Sequence, residues 1–217
     1  MKEGDRNTRY FHCRANQRNK HNYILGLEDE FGIWTEDEDQ MGRVASFYFD
    51  TMFTASNPIG FDEILGGLLP TVTDEMNVSF NKPYNAEEVL KTLHQMDPLT
   101  APGLDGMSPI FYKSFWHIVG KDVLEVVLTA LNSGTISKSI NSTFVALIPK
   151  IKDPKKVSDF RPISLCNVVY KLIAKVLVNR LKLILPYVVS ESQSAFLSGR
   201  LITDNVLVAF ETLHFLK

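Results

Sequence analysis

The chain has 217 residues, of which 45% are hydrophobic and 22% are charged, so it can bury one good core or two small ones and is not a disordered chain. Its two cysteines, Cys13 and Cys166, lie far apart without a repeated spacing, which argues against a disulfide framework and favours a reducing compartment. The formal net charge is −2 and no apolar run has the length of a signal peptide or a membrane span, so the sequence predicts a soluble, intracellular protein without membrane contact.

The small net charge conceals a strong segregation of charge along the chain. Residues 22–100 carry three basic and fifteen acidic side chains, whereas residues 144–182 carry nine basic and two acidic ones. Residues 1–21 are also basic, with six cations and two carboxylates. Because binding to a polyanion depends on the local distribution of charge, residues 144–182 are the predicted nucleic-acid-binding stretch.

The N-terminal arm is polar and basic. Residues 5–20 show little apolar periodicity, so any helix there is expected to be weakly held. The arm is predicted either to touch phosphates or to be a frayed terminus. His12, Cys13 and His21 are too few for a closed zinc site, and no metal ligand is predicted.

A hairpin and an amphipathic helix are predicted next. Residues 22–27 and 33–34 flank a turn in which Gly32 supplies a positive φ. Thr35 and Glu38 form a capping-box pattern that starts a helix, and the carboxylates at 36–39 suit the helix N-terminus better than a metal site. The apolar residues of this helix recur at helical spacing: Met41, Val44, Ala45, Tyr48, Met52 and Phe53.

Three segments are predicted from the composition. A stretch rich in glycine and proline begins the predicted linker, 57–82, which separates a leading segment, 1–56, from a second part, 83–217.

The second part begins with predicted helices. Asn85 and Glu88 form a start signal for a helix that ends at Asp97 and Pro98, with Val89, Leu90, Leu93 and Met96 facing inward. A turn at 101–106 follows. Ser108 with Pro109 starts another helix with Phe111, Phe115 and Ile118 in the core, and a further helix is predicted from Lys121 to a cap at Gly134.

A strand, a turn and a returning strand are predicted in the basic stretch. The strand at 144–148 ends at Pro149, and Val157 to Ile163 is predicted to return antiparallel after an Asp-Pro turn. This hairpin would bring Lys150 and Arg161 to the same end, where an ammonium and a guanidinium suit a triphosphate. The alternative is a solvated hairpin with ordinary surface cations.

The longest predicted helix runs from about Asn167 to Leu185 and is stopped by Pro186. Its apolar side gathers Val169, Leu172, Ile173, Val176, Leu177 and Ile184, and Lys171, Lys175 and Lys182 line the opposite side. Arg180 projects from the apolar side, so it is predicted to have a partner, with a structural ion pair favoured over a substrate contact.

A loop at 192–200 and a final helix capped by Thr203 or Asp204 complete the predicted elements. The apolar residues expected to face inward are Val206, Leu207, Phe210, Leu213 and Phe215. Without a further cover, the face of Leu207, Phe210 and Leu213 is predicted to promote self-association.

Several of these motifs resemble the fingers motifs of reverse transcriptases from non-LTR retrotransposons of the long interspersed type. The matching stretches are APGLDG at 101–106, LIPK at 147–150, FRPISL at 160–165, YKLI at 170–173, NRL at 179–181, QSAFLSGR at 193–200 and DN at 204–205. Residues 4–12 resemble the segment that precedes this domain in plant elements. Leu104 departs from the pattern, since the family usually has a proline at that position.

The resemblance implies an α+β, mostly helical fold: the fingers and first palm-side portion of a right-hand polymerase, incomplete. It implies RNA-directed DNA synthesis as the parent activity, with small residues at 101–106 that let a nucleic-acid strand approach. Lys150 and Arg161 would bind the incoming deoxynucleotide, and Lys171, Lys175, Lys182 and Arg200 would lie near the RNA or DNA template-primer.

The resemblance also implies what the 217 residues lack. The family places its metal-binding aspartates further along the chain, and no Asp-Asp dipeptide occurs here. No catalytic residue or cofactor is therefore predicted, Mg²⁺ is expected only with the complete polymerase domain, and the chain by itself is predicted to be inactive. The alternatives are a non-catalytic nucleic-acid-binding or interaction module, or a retroelement relic without function.

Overall fold

The computed structural model describes residues 9–56, 60–61, 65–67, 70–190, 193, 197 and 199–215. These residues are mostly helical and form two small two-stranded sheets, which is compatible with the predicted α+β class. Contacts divide the chain into two compact units, the first made of residues 1–59 and 145–164 and the second of residues 60–144 and 165–217.

The first unit contains the predicted hairpin. A helix, α1 (Arg9–Asn22), precedes two strands, β1 (Leu27–Glu28) and β2 (Trp34–Thr35), which pair antiparallel. Gly32 has a φ of 80°, and the carboxylate of Asp29 accepts hydrogen bonds from two backbone N–H groups of the turn at 2.8 and 2.9 Å. The prediction of a hairpin with Gly32 in its turn is confirmed.

The second helix is capped by a different residue from the one predicted. α2 (Glu38–Phe53) begins after Asp37, whose carboxylate accepts a hydrogen bond from the backbone N–H of Gln40 at 2.9 Å. The predicted capping box of Thr35 and Glu38 is wrong, because Asp37 occupies the capping position. The Thr35 hydroxyl instead accepts from the backbone N–H of Asp37 at 3.3 Å.

The basic stretch forms the predicted ribbon. β3 (Phe144–Pro149) and β4 (Phe160–Leu165) lie side by side in one sheet. The backbone N–H of Lys150, directly after β3, donates to the carbonyl of Asp159, directly before β4, at 2.8 Å, so the chain reverses direction and the hairpin is confirmed. The returning strand begins later than predicted, since a 3₁₀ helix occupies Val157–Asp159.

The core of the first unit is small. Leu27, Val157 and Phe160 are buried. The partly buried apolar residues packed against them come mainly from α2 and are Ile24, Met41, Val44, Ala45, Tyr48, Phe49 and Leu147. Met52 and Phe53, the last two apolar residues of the predicted helical spacing, are exposed at the far end of α2.

The second unit is a helical assembly. Short helices α3 (Asp74–Phe80), within the predicted linker, and α5 (Pro109–Ser114) accompany the longer α4 (Ala86–Gln95) and α6 (Trp116–Ser133). A single turn, α7 (Lys138–Asn141), precedes β3, and two further helices follow β4. The buried core comprises Val89, Leu93, Met96, Tyr112, Val123, Val127, Ala130, Val168, Leu172, Ile173 and Val176.

The residues predicted to begin and end the helices of this unit are largely confirmed. Asn85 and Glu88 form both hydrogen bonds of a capping box, at 3.0 and 3.1 Å. Gly134 caps α6 with a φ of 72°. α6 begins at Trp116, however, rather than at Lys121, and Ile118, predicted to lie in the core, is exposed.

The longest helix passes through its proline. α8 (Val168–Val188) is capped by Asn167, whose side chain accepts from the backbone N–H of Tyr170 at 2.9 Å. The predicted stop at Pro186 is wrong, because a proline near a helix end removes a single hydrogen bond and the last turn still closes. Leu177, predicted to face inward, is 39% exposed.

The last helix presents its apolar side chains to solvent. α9 (Ile202–Phe215) begins before both predicted caps. Leu207, Phe210 and Leu213 are 57%, 67% and 68% exposed, so the expectation that they face inward is wrong among the described residues. Within the same residues, no helix combines the length and the apolar composition needed to cross a membrane.

Candidate nucleic-acid interface

The β3–β4 hairpin presents the two cations predicted to hold a nucleotide. Lys150 and Arg161 are both exposed. The backbone N–H of Lys150 is hydrogen-bonded to the carbonyl of Asp159, two residues before Arg161, so both cations lie at the same end of the hairpin. The Lys150 ammonium donates to the carbonyl of Ser158 at 2.8 Å. Joint binding of a nucleotide by the two cations therefore stays a prediction.

A carboxylate in the hairpin loop offsets part of the positive charge. Asp159 accepts hydrogen bonds from the backbone N–H groups of Lys155 and Lys156 at 3.0 and 2.9 Å. These bonds, with a smaller contribution from the nearby ammonium groups, lower the pKa of Asp159. The loop therefore keeps an ionised carboxylate beside its lysines and is less positive than the count of cations indicates.

The three lysines predicted to line α8 are not equivalent. The Lys171 ammonium donates to the carbonyl of Ala101 at 2.5 Å, so this side chain ties the loop before α5 to α8. Lys175 is partly buried and Lys182 is exposed. Lys175 and Lys182 are therefore better candidates than Lys171 for contacts with a phosphate backbone.

The loop at 101–106 packs closely against the start of α8. A Cβ atom on Gly103 would lie 2.4 Å from the backbone nitrogen of Asn167 and 2.7 Å from the carbonyl carbon of Cys166. The resemblance implies that small residues here admit a nucleic-acid strand. At Gly103 the space is taken by the backbone at the start of α8 itself.

A tyrosine and an aspartate fix the other end of this loop. The Asp105 carboxylate accepts from the backbone N–H of Met107 at 3.0 Å and from the Tyr112 hydroxyl at 3.4 Å. Burial, reinforced by the Asp105 carboxylate, raises the pKa of Tyr112 to about 12. The loop is therefore held by side-chain contacts at both ends, with the exposed Leu104 between them.

Arg180 lies at the centre of a dense polar cluster. Its guanidinium makes two hydrogen bonds to the Glu88 carboxylate, at 2.7 and 2.8 Å, and donates to backbone carbonyls at positions 80, 82 and 83. The ring of Tyr84 lies 3.5 Å from the guanidinium carbon. The hydrogen bond from Arg180 lowers the pKa of Glu88, and the pKa of Arg180 is raised in turn. The prediction that Arg180 has a structural partner is confirmed.

Arg200 also makes backbone contacts. Its guanidinium donates to the carbonyl groups of Ser190 and Gln193 at 2.6 and 2.8 Å. Its predicted role near template or primer stays a prediction.

Two side chains that sequence reasoning did not single out position the helices around this region. Asn179 donates to the Thr92 hydroxyl and to the Gln95 amide oxygen, both at 3.0 Å. The Lys113 ammonium donates to the carbonyls of His94 and Met96 and so caps the end of α4. No local spacing rule links these pairs, because the partners are far apart in the sequence.

The part of the chain that the structure describes contains no group of three or more histidine, cysteine, aspartate or glutamate side chains arranged to hold a metal ion. The cations on the hairpin lie in the first unit and those on α8 lie in the second, and cations of this kind attract phosphates by charge.

Comparison with known proteins gives one informative match. No protein-family model matches the chain. The chain is 30% identical over 215 residues to a Xenopus laevis protein described as "Transposon TX1 uncharacterized 149 kDa protein". The match covers 98% of this chain and 16% of the Xenopus protein, so the chain spans about one sixth of that relative's length. This chain is therefore similar to one part of a transposon protein.

Proposed function

We propose that the chain is the N-terminal part of the reverse transcriptase domain of a non-LTR retrotransposon and contributes the fingers of a right-hand polymerase. The observation that carries the proposal is the similarity to a transposon protein along 98% of the chain, which includes every motif that resembles the fingers. The resemblance of residues 4–12 to plant elements adds a plant origin to the proposal, although the matched protein is from Xenopus laevis.

In this proposal the hairpin and α8 handle different parts of the substrate. Lys150 and Arg161 attract the triphosphate of the incoming deoxynucleotide, and Lys175 and Lys182 attract the template-primer backbone. Mg²⁺ would be held by aspartates of the complete domain and would stabilise the attacking and leaving oxygens. In this proposal the residues of this chain bind and orient the deoxynucleotide and the template-primer, and the chain alone is predicted not to polymerise.

Salt-dependent binding tests the proposal. Labelled RNA and DNA are titrated against the chain at several salt concentrations, and micromolar or weaker, sequence-independent binding is expected. Replacing two lysines, Lys175→Gln with Lys182→Gln, should reduce the slope of log K against log salt by roughly 0.7–0.9 for each phosphate that the variant no longer neutralises. Lys171 is kept because its hydrogen bond to Ala101 supports the fold.

The matched control replaces two exposed lysines on other helices of the second unit, Lys91→Gln with Lys121→Gln, and should leave the slope unchanged. An equal slope for the α8 variant and the unmodified chain would mean that the α8 lysines are only a solvated surface. That result would favour the interpretation of the chain as a relic without function.

A further inference from the structure

A cleft of about 300 Å³ lies in the first unit, between the end of α1, strand β2 and the loop that joins β3 to β4. Its walls include Lys20 and Tyr23 at the end of α1, Trp34 on β2, and Lys152 and Lys155 on the loop. The volume is at the lower end of the roughly 300–1,000 Å³ that ligand-binding clefts occupy. None of the residues with a predicted role in the hairpin or in α8 lines it.

Two aromatic rings are available in this cleft. Tyr23 is 69% exposed and Trp34 is 40% exposed. The indole of Trp34 is held in place, because its Nε1 donates to the Glu36 carboxylate at 3.0 Å and its ring packs on Gly26. A Cβ atom on Gly26 would lie 2.4 Å from that ring, so only glycine permits this position. The cleft therefore contains a fixed aromatic surface that is open to a flat ligand.

The residues that line the cleft include more cations than carboxylates. Lys20, Lys152 and Lys155 line the cleft together with the carboxylate of Asp153, and the Glu36 carboxylate that accepts from the Trp34 indole adds a negative charge beside that ring. Glu28 lies 3.8 Å from the Lys155 ammonium, a distance at which it offsets only part of the charge of a side chain that is 65% exposed. The adjoining α1 carries four cations and no carboxylate.

The loop on the basic side has a defined conformation. The Lys155 carbonyl accepts from the backbone N–H of Glu28 at 2.8 Å, and the Lys155 N–H donates to Asp159. Asp153 adopts a φ of 56°, in the left-handed region that few non-glycine residues enter. The two hydrogen bonds fix the backbone at Lys155 before a ligand arrives.

We propose that this cleft binds single-stranded nucleic acid, with an unpaired base stacked on Tyr23 and Trp34 and the adjoining phosphates against Lys20, Lys152 and Lys155. Aromatic faces bordered by cations match the alternation of base and phosphate, and stacking accepts every base. An acidic peptide would match the lysines but would leave the two rings without a flat partner. The site lies in the first unit and does not depend on the α8 lysines.

The test uses the whole chain and fluorescence anisotropy. The probes are labelled single-stranded RNA and DNA of one sequence, with a length of roughly 12 nucleotides, within the span that single-strand sites cover. Tyr23→Ala should weaken binding by roughly 5- to 100-fold, the effect of removing one base–aromatic stack, whereas Tyr23→Phe should retain it. Because Tyr23 is exposed, neither change is expected to disturb the core. Weaker binding of only RNA or only DNA supports the site and identifies its natural ligand.

A second variant and a duplex probe separate this proposal from simple charge attraction. Lys152→Gln should lower the salt slope by about 0.7, the value for one phosphate contact on a single strand. A duplex of the same sequence should bind more weakly, since its bases are already stacked. The proposal would be overturned if the Tyr23→Ala variant bound as tightly as the unmodified chain. It would also be overturned if duplex and single strand bound equally well, or if polyglutamate displaced the probe as effectively as unlabelled oligonucleotide does. The α8 variant, measured in parallel, reports on the proposed function alone.

Discussion

Glu88 performs two tasks with one carboxylate. It completes the capping box with Asn85 at the start of α4 and accepts both forked hydrogen bonds from Arg180 on α8. The side chain of Arg180 is only 11% exposed and that of Glu88 is 32% exposed, so water screens the pair weakly at the guanidinium. The pair therefore links the start of one core helix to the apolar side of another.

Replacing this carboxylate should cost stability in a pH-dependent way. Glu88→Gln is expected to lower the free energy of unfolding by about 1.5–3 kcal/mol at neutral pH, the range for hydrogen bonds to charged groups. The pKa of Glu88 is lowered in the folded state, so its contribution is present above the unfolded pKa and is lost as the pH falls through the folded value. Urea denaturation between neutral and acid pH should therefore show the difference shrinking with falling pH.

Glu87→Gln is the matched control for this measurement. Glu87 occupies the same first turn of α4 but is exposed, so its replacement should change stability by less than about 0.5 kcal/mol. A Glu88 variant that is as stable as the Glu87 variant at neutral pH would contradict the structural role of the pair.

Close packing between elements depends on Gly103. The loop at 101–106 meets the N-terminus of α8 so tightly that a single added methyl group overlaps the backbone of Asn167. The Lys171 ammonium adds a hydrogen bond to the same loop at Ala101. The position of this loop is therefore set by α8.

Two glycine substitutions should have opposite effects. Gly103→Ala is expected to destabilise the second unit by roughly 1–3 kcal/mol, because backbone must shift to admit the methyl group. Gly42→Ala, within α2 and with open space around its Cβ position, should stabilise the first unit by roughly 0.5–1 kcal/mol through helix propensity. Urea denaturation followed by circular dichroism measures both. If both substitutions lowered the free energy of unfolding equally, the contact between Gly103 and the backbone of Asn167 would not be the cause of the destabilisation.

Each of the two units has its own core and its own tryptophan. Trp34 belongs to the first unit, and Trp116 packs against the core of the second. Among the described residues, the first core has three buried apolar side chains and the second has eleven. Unequal cores predict unequal stabilities.

Single-tryptophan variants should resolve two unfolding transitions. In the Trp116→Phe variant the remaining Trp34 reports on the first unit, and in the Trp34→Phe variant the remaining Trp116 reports on the second. The Trp34 fluorescence is expected to change at the lower urea concentration. Circular dichroism of each variant checks that the substitution itself leaves the helices intact. Coincident midpoints would mean that the chain unfolds as one cooperative body.

The exposed apolar face of α9 is predicted to promote self-association, so the unfolding measurements should be made at low protein concentration.

The sequence by itself determined the features that depend on neighbours a few residues away. The capping box at Asn85, the left-handed glycines at positions 32 and 134 and the β3–β4 hairpin follow from local backbone requirements. It also determined that Arg180 needs a partner, since a guanidinium on an apolar helix face is costly unless it is paired.

Only the tertiary structure decided which distant groups meet. Glu88, the partner of Arg180, is 92 residues away in the sequence, and Ala101, which accepts the hydrogen bond from Lys171, is 70 residues away from it. The need for glycine at position 103 and the cleft around Trp34 likewise arise from contacts between separate segments. Such contacts depend on how helices and strands pack, and no periodicity or turn signal within one segment specifies them.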